Sequence, residues 1–279
     1  MTADALSSGK GHRDENFPVA SWLLKPRYRA PILAFYRFAR AADDVADHAT
    51  ASADAKLHLL EEMDRTLTGE LDSAPQALVL RRISEERGLN PQHGLLLLEA
   101  FRRDVTKRRY SDWDELMDYC RYSAMPVGRF VLDVHGEDRA LWPLSDALCA
   151  ALQVINHLQD CAKDFRDLDR VYLPQDLMRT FEARVEMLGE PKAPEALRRV
   201  IAAMARKTGD LLSVSHAFAG RIQDRRLALE VSLIQKFAED LDNRLMRRDP
   251  LSQRVHHRKR ELVPLALAAF FGFLARSRA

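Results

Sequence analysis

Aspartates at helical spacing follow an apolar, aromatic run near the start of the chain. In PILAFYRFARAADDVADH, Asp43 and Asp47 are four residues apart, and Arg40 precedes Asp43 by three. On a helix these three side chains share one face. Carboxylates this close repel each other unless a cation intervenes. The pair is therefore either a solvated helix end or part of a cation site.

A second polar stripe follows another apolar run, SDALCAALQVI. Gln153, Asn156, Asp160 and Asp164 recur at helical spacing within residues 152–176. Polar groups that continue a buried face need partners. One such stripe could be a hydrogen-bond network in a core. Two stripes with paired acids, each beside an apolar run, indicate a ligand shared between facing helices.

Oxygen ligands of this kind suit Mg²⁺, which commonly joins one or two carboxylates to substrate phosphates. Neither stripe has a His at a ligand position, which argues against zinc or a di-iron bundle. Lys163, Arg166 and Arg170 flank the second stripe and would complement phosphate oxygens. The predicted chemistry is metal-assisted ionisation of an apolar diphosphate. An apolar cavity would hold the hydrocarbon and limit water around the carbocation.

The elements that carry these residues are predicted to be helices. Apolar residues recur at helical spacing through most of the chain, and alternating β-branched runs are scarce. Turn-like breaks fall at SAPQ, GLNPQ, HGEDRALWP, LGEPKAPE and RRDP. The sequence predicts one all-α domain over residues 16–279. A flexible polar tail at 1–15 precedes it and lacks the apolar centre of a signal peptide.

The composition indicates a globular protein and gives no support for a nucleic-acid partner. The chain has 279 residues, of which 47% are hydrophobic and 30% charged, so it is globular with a sizeable core. The net charge of +2 gives no case for a nucleic-acid partner. Three cysteines without metal-like spacing cannot all pair with one another, which fits a reducing cytoplasm.

The C-terminal sequence RVHHRKRELVPLALAAFFGFLARSRA joins a basic run to an apolar one. Residues 262–275 are too few to span a bilayer, which needs about 20. The segment is either a last core helix or a basic amphipathic segment on a membrane surface. The second alternative would place a cytoplasmic protein peripherally at the inner face of the bacterial membrane. His256 and His257 are predicted to be surface residues, because no acidic or Cys cluster adjoins them.

The two acidic segments resemble the aspartate-rich motifs of squalene and phytoene synthases, which are head-to-head isoprenoid synthases. The matching sequences are FYRFARAADDVADH and NHLQDCAKDFRDLDRVYLP, and DYCRYSAMPVGRFVLDVHG resembles the family's central helix. The resemblance extends from about Asn16 to Asp249. It implies the all-α isoprenoid synthase fold, a single-domain helical bundle around a central apolar cavity.

The resemblance also implies roles for individual residues. The metal ligands would be Asp43, Asp47, Asn156, Asp160 and Asp164, and the four aspartates would be catalytic together with Tyr119. Tyr119 would lie beside the cationic centre, offering its π-face to a cation or its hydroxyl for proton transfer. The alternative for this residue is an ordinary helix-packing tyrosine. The predicted substrate-binding residues are Arg40, Gln153, Asn156, Lys163 and Arg170.

Within the family, AFRRDVTKRRY and the segment 15–47 resemble the bacterial hopanoid branch that forms hydroxysqualene. This implies Mg²⁺-dependent ionisation of presqualene diphosphate, rearrangement and capture by water, without NADPH. A presqualene diphosphate synthase and a flavin-dependent reductase would be pathway partners. Two alternatives stay open. The chain could condense two prenyl diphosphates, such as farnesyl diphosphate, to presqualene diphosphate or phytoene, or it could be a non-catalytic helical binding protein.

Overall fold

The computed structural model describes residues 23–276, and for residues 259, 268 and 271–276 it describes the backbone only. The predicted tail at 1–15 lies outside the described residues. Within 23–276 the structure has no β-strand, and Arg109 and Val171 form an isolated bridge. The prediction of an all-α protein is confirmed. The α-helices are α1 (Pro26–Asp47), α2 (Ala53–Leu67), α3 (Pro75–Arg87), α4 (Gln92–Thr106), α5 (Trp113–Ser123), α6 (Met125–His135), α7 (Trp142–Leu168), α8 (Gln175–Thr180), α9 (Glu195–Ser215), α10 (Phe218–Arg221), α11 (Arg225–Leu245) and α12 (Lys259–Arg276).

The described residues form two compact units. Residues 23–107 and 121–139 make the first, and residues 108–120 and 140–276 make the second. In the first unit α1 packs against α2, α3, α4 and α6. Phe35 of α1 stacks on Phe130 of α6 with ring centroids 4.0 Å apart, and Phe38 is fully buried beside them. The apolar run before the first acids therefore supplies the core of this unit.

In the second unit α7 is the longest helix, and it packs against α9 and α11. Its buried apolar side chains include Ala151, Val154, Ile155 and Leu158. Their spacing gives α7 an apolar side toward its neighbouring helices. The second acidic stripe lies on this same helix, on positions that the apolar side leaves half-exposed. The prediction of one domain over 16–279 stays a prediction.

The segment expected to be one central helix is two helices. α5 ends at Ser123 and α6 begins at Met125, with Ala124 at φ −126° and ψ −48° between them. Pro126 explains the break, because proline lacks the amide hydrogen that would continue α5. Pro126 then occupies the first turn of α6, where the missing donor has no cost.

The last helix begins in the basic run and continues into the apolar one. α12 packs against α11, while Val263, Leu267 and Phe270 are 62%, 52% and 41% exposed. Among the described residues, none of the helices combines the length and apolar character that crossing a membrane requires. The three cysteines are free thiols, and burial raises the pKa of both Cys120 and Cys161 to about 12.

Candidate functional site

The first acidic cluster lies at the C-terminal end of α1, which ends at Asp47. The backbone carbonyls at this end of a helix carry partial negative charge, which disfavours carboxylates. Asp43 and Asp47 are half-buried there, one turn apart on the helix. Acids at this end therefore gain no stabilisation from the helix dipole.

Arg40 binds two of the acids in this cluster. Its Nη1 donates a hydrogen bond to Asp43 Oδ2 at 2.8 Å, and its Nη2 donates to Asp44 Oδ1 at 2.6 Å. The sequence predicted the proximity of Arg40 to Asp43. It did not single out Asp44, which is buried and accepts a hydrogen bond from one of the two terminal nitrogens of Arg40. Arg40 thus contacts two acids of the cluster at once.

The surroundings of Asp43 raise its pKa. Burial, above all, and the carboxylate of Asp47 raise its pKa to about 7, against the opposing effect of Arg40. Asp104 of α4 adds to this rise, and its side chain is buried. Sequence reasoning missed Asp104, because nothing in the AFRRDVTKRRY segment reveals that this residue lies near α1. A divalent cation would offset the repulsion, so the chemistry of the cluster fits Mg²⁺.

The second cluster is the stripe on α7. Gln153, Asn156, Asp160 and Asp164 are all half-buried, whereas the residues between them are mostly buried in the second unit. The helical spacing predicted from the sequence is therefore confirmed, and the four side chains form one stripe along the helix. An amide and two carboxylates in a row present the hard oxygen ligands that Mg²⁺ prefers.

The predicted basic partners of this stripe occupy different environments. Lys163 is exposed and its Nζ lies 3.3 Å from Asp167 Oδ2 on the same helix. Arg170 is buried, and its Nη1 donates a hydrogen bond to the Tyr172 hydroxyl at 3.2 Å. Neither contact is with an acid of the stripe. The role of Lys163 and Arg170 in substrate binding stays a prediction.

Tyr119 belongs to a buried aromatic cluster in the second unit. Its ring centroid lies 5.4 Å from that of Tyr110 and 5.6 Å from that of Tyr172. His157 stacks on Tyr172 with centroids 3.4 Å apart, and burial, with the charge of Arg170, lowers the pKa of His157 to about 3. The imidazole is therefore neutral. These contacts give Tyr119 a packing role, and its predicted role beside a cation stays a prediction.

A histidine that the sequence placed on the surface adjoins the stripe. His256 Nε2 lies 4.0 Å from Asp160 Oδ1, and His257 Nε2 lies 2.9 Å from Asp240 Oδ2. The prediction of a surface position was wrong for His257, whose side chain is 7% exposed, whereas the side chain of His256 is 36% exposed. The acids come from α7 and α11, which are distant in sequence, so the local sequence could not reveal the contacts.

No group of three His, Cys, Asp or Glu side chains that could hold a metal ion occurs within residues 23–276. Sites for Mg²⁺ commonly use only one or two carboxylates and take their other ligands from water and substrate phosphates. The Asp43–Asp47 pair and the Asn156–Asp160–Asp164 stripe each meet that requirement. Their role as metal ligands stays a prediction.

Known proteins extend these observations. The Squalene/phytoene synthase family matches residues 11–261 of the chain. A hydroxysqualene synthase from Zymomonas mobilis is 56% identical over 98% of this chain and 93% of its own length. A hydroxysqualene synthase from Rhodopseudomonas palustris is 52% identical over 99% of this chain and 94% of its own.

Solved structures agree in fold. A squalene synthase from Alicyclobacillus acidocaldarius has a TM-score of 0.74 and 31% identity, covering 88% of this chain and 92% of its own. A dehydrosqualene synthase has a TM-score of 0.79 at 20% identity, covering 98% and 96%. The fold is therefore the all-α isoprenoid synthase fold that the acidic motifs predicted. With the family match over nearly the whole chain, these comparisons establish that the protein is a member of the squalene/phytoene synthase family.

Proposed function

We propose that this protein converts presqualene diphosphate and water to hydroxysqualene and diphosphate. The observation that carries the proposal is that relatives more than half identical over nearly their full length are hydroxysqualene synthases. The two acidic clusters support it, because each offers the oxygen ligands that a diphosphate-releasing synthase needs for Mg²⁺. The reaction belongs to squalene and hopanoid biosynthesis.

Each cluster by itself offers groups that suit a diphosphate leaving group. Asp43 and Asp47, with Asn156, Asp160 and Asp164, would hold Mg²⁺, which when bound neutralises the diphosphate and makes it a better leaving group. Arg40 contributes a guanidinium that can donate hydrogen bonds to a phosphate oxygen. Gln153, Lys163 and Arg170 are further candidates for orienting the substrate.

Bond changes follow from the chemistry of the substrate. The carbon–oxygen bond to diphosphate breaks, and both electrons leave with the oxygen. The cyclopropylcarbinyl cation rearranges and its ring opens to an allylic cation. A water oxygen then forms the new carbon–oxygen bond, and the proton that it loses passes to solvent or to the released diphosphate. No hydride enters this sequence, so the reaction needs no NADPH.

The test compares two substrates and two aspartates of α7. Asp160→Asn should lower turnover of presqualene diphosphate at least about 10³-fold, because the loss of a metal ligand removes transition-state stabilisation of several kcal/mol. Asp146→Asn is the matched control, since Asp146 lies on the same helix but near its N-terminal end, away from the stripe. Consumption of farnesyl diphosphate in place of presqualene diphosphate would move the protein to the condensing branch. Normal turnover by Asp160→Asn would contradict the proposed site.

We also propose that the protein is cytoplasmic and works peripherally at the inner face of the bacterial membrane. α12 exposes Val263, Leu267 and Phe270 at helical spacing, and the exposed Arg258 and Arg260 lie at its N-terminal end. Apolar side chains beside basic ones are the pattern of a helix that rests on anionic lipid. This position suits a substrate and a product that are both lipids.

Cosedimentation with vesicles containing phosphatidylglycerol tests the membrane contact. Changing Val263 and Leu267 together to serine should lower the bound fraction several-fold without changing turnover of detergent-dispersed substrate. Equal binding of wild type and variant would refute a role for α12.

A presqualene diphosphate synthase would supply the substrate and a flavin-dependent reductase would consume the alcohol, so both are proposed pathway partners.

A further inference from the structure

We propose that His256 is a positioning residue for Asp160, a role that rests on the proposed function of the α7 stripe. The imidazole Nε2 lies 4.0 Å from Asp160 Oδ1. His256 is 36% exposed and Asp160 is 46% exposed at the side chain, so neither is locked by packing against the other. A shift of about 1 Å brings the two atoms to hydrogen-bond distance.

The loop that carries His256 is fixed at its start by Asp249. The Asp249 carboxylate accepts hydrogen bonds from the Ala193 amide at 3.0 Å and from the Ser252 hydroxyl at 2.6 Å. These bonds keep the pKa of Asp249 low, although burial of the carboxyl opposes them. Val255, next to His256, is buried in the second unit. The backbone before His256 is therefore held at two points.

The residue after His256 is bound to α11. His257 Nε2 lies 2.9 Å from Asp240 Oδ2, and Arg244 donates to the same oxygen at 2.6 Å. Arg244 also reaches Glu261 Oε2 at 3.2 Å, at the start of α12. The backbone on this side is held by a partly buried network of ion pairs and hydrogen bonds. With both neighbours fixed, His256 can reach Asp160 by side-chain rotation alone.

An imidazole in this place has a clear chemical use. A carboxylate that binds a metal through one oxygen is oriented when an outer donor bonds its other oxygen. Nε2 carries a hydrogen in one neutral tautomer of histidine and can supply that bond without a change of charge. The residue thus acts through Asp160 and need not touch the reacting carbons. Outer donors of this kind typically contribute 10–100-fold to metal affinity.

Calorimetric titration of the protein with magnesium and inorganic diphosphate tests the inference by a readout other than turnover. His256→Ala should weaken binding about 10-fold. His256→Gln keeps a side-chain N–H near the position of Nε2 and should stay within about 3-fold of wild type. His216→Ala is the control, because His216 is an exposed histidine of the same unit whose ring lies beside Glu239.

The outcomes separate the two proposals. If Asp160→Asn abolishes binding and His256→Ala leaves it unchanged, the role of His256 is overturned and the proposed metal site stands. If wild type and Asp160→Asn bind magnesium diphosphate equally, the proposed site itself fails, and the role of His256 with it. Thermal unfolding of each variant verifies that the fold is kept, and equal weakening by Ala and Gln would also overturn the hydrogen-bond role.

Discussion

Asp242 makes the stability of this protein depend on pH. The residue lies on α11 and is 5% exposed, and burial raises the pKa of its carboxyl to about 7. Among the described residues, its Oδ1 has no hydrogen-bond partner. Gly209 of α9 leaves room for this carboxyl, since a Cβ there would lie 3.4 Å from Oδ2. A buried carboxylate without a partner is costly, so the folded state favours the protonated form.

The sign and size of the effect follow from linkage. Because the pKa is raised in the folded state, the contribution of Asp242 is fully favourable below about pH 4 and is lost as pH rises to 7. The change from 3.8 to about 7 corresponds to at most about 4 kcal/mol, at about 1.4 kcal/mol per pH unit. Relaxation and water penetration reduce this to about 2 kcal/mol. Asp242→Asn should therefore raise the free energy of unfolding by about 2 kcal/mol at pH 8.

Urea unfolding of both proteins at pH 4.5, 6 and 8 measures the difference. The advantage of Asp242→Asn should fall to at most about half of its pH 8 value at pH 4.5, because it vanishes only below the unfolded-state pKa of about 4. Asp43, whose pKa also lies near 7, is present in both proteins, so its contribution cancels. Asp210→Asn, an exposed position on α9, should show no such dependence. A difference that stays constant with pH, or a wild type more stable at pH 8, would refute the reasoning.

Three further changes test the first unit. Gly94→Ala places a Cβ 2.7 Å from Leu67 Cδ2. The variant should lower the free energy of unfolding by about 1–2 kcal/mol, because the cost of overpacking exceeds the gain in helix propensity. A raised melting temperature would contradict this packing. Arg81→Met removes donors to two carbonyls in the segment that ends α2 and should cost about 1–2 kcal/mol in urea unfolding, with Arg82→Met as the neighbouring control. Arg40→Met leaves the first acidic cluster without its guanidinium and should lower kcat/KM at least about 10²-fold; unchanged kinetics would remove Arg40 from the site.

Periodicity was sufficient to predict the helices and both acidic stripes. The spacing of Asn156, Asp160 and Asp164 on α7 is a local property. Residues at this spacing share one side of a helix however that helix packs in the folded protein. The break at Ala124 was also readable, since Pro126 follows it by two residues. The resemblance to one central helix did not include this break.

Contacts between distant segments were not predictable. Asp104 affects Asp43 across about sixty residues of sequence, and His256 meets Asp160 across almost a hundred. No propensity or spacing rule connects such residues, because tertiary packing alone brings them together. Buried charges such as Asp242 belong to the same class, since their exposure depends on which helices pack together.

The most direct test of the central claim is the source of the product's oxygen. Purified protein with presqualene diphosphate and Mg²⁺, in water enriched in oxygen-18 and without NADPH, should yield hydroxysqualene that carries the heavy oxygen. Mass spectrometry would detect it as a gain of about two mass units, and EDTA should abolish the product. An alcohol without the label, or squalene formed only when NADPH is added, would contradict capture of the cation by water.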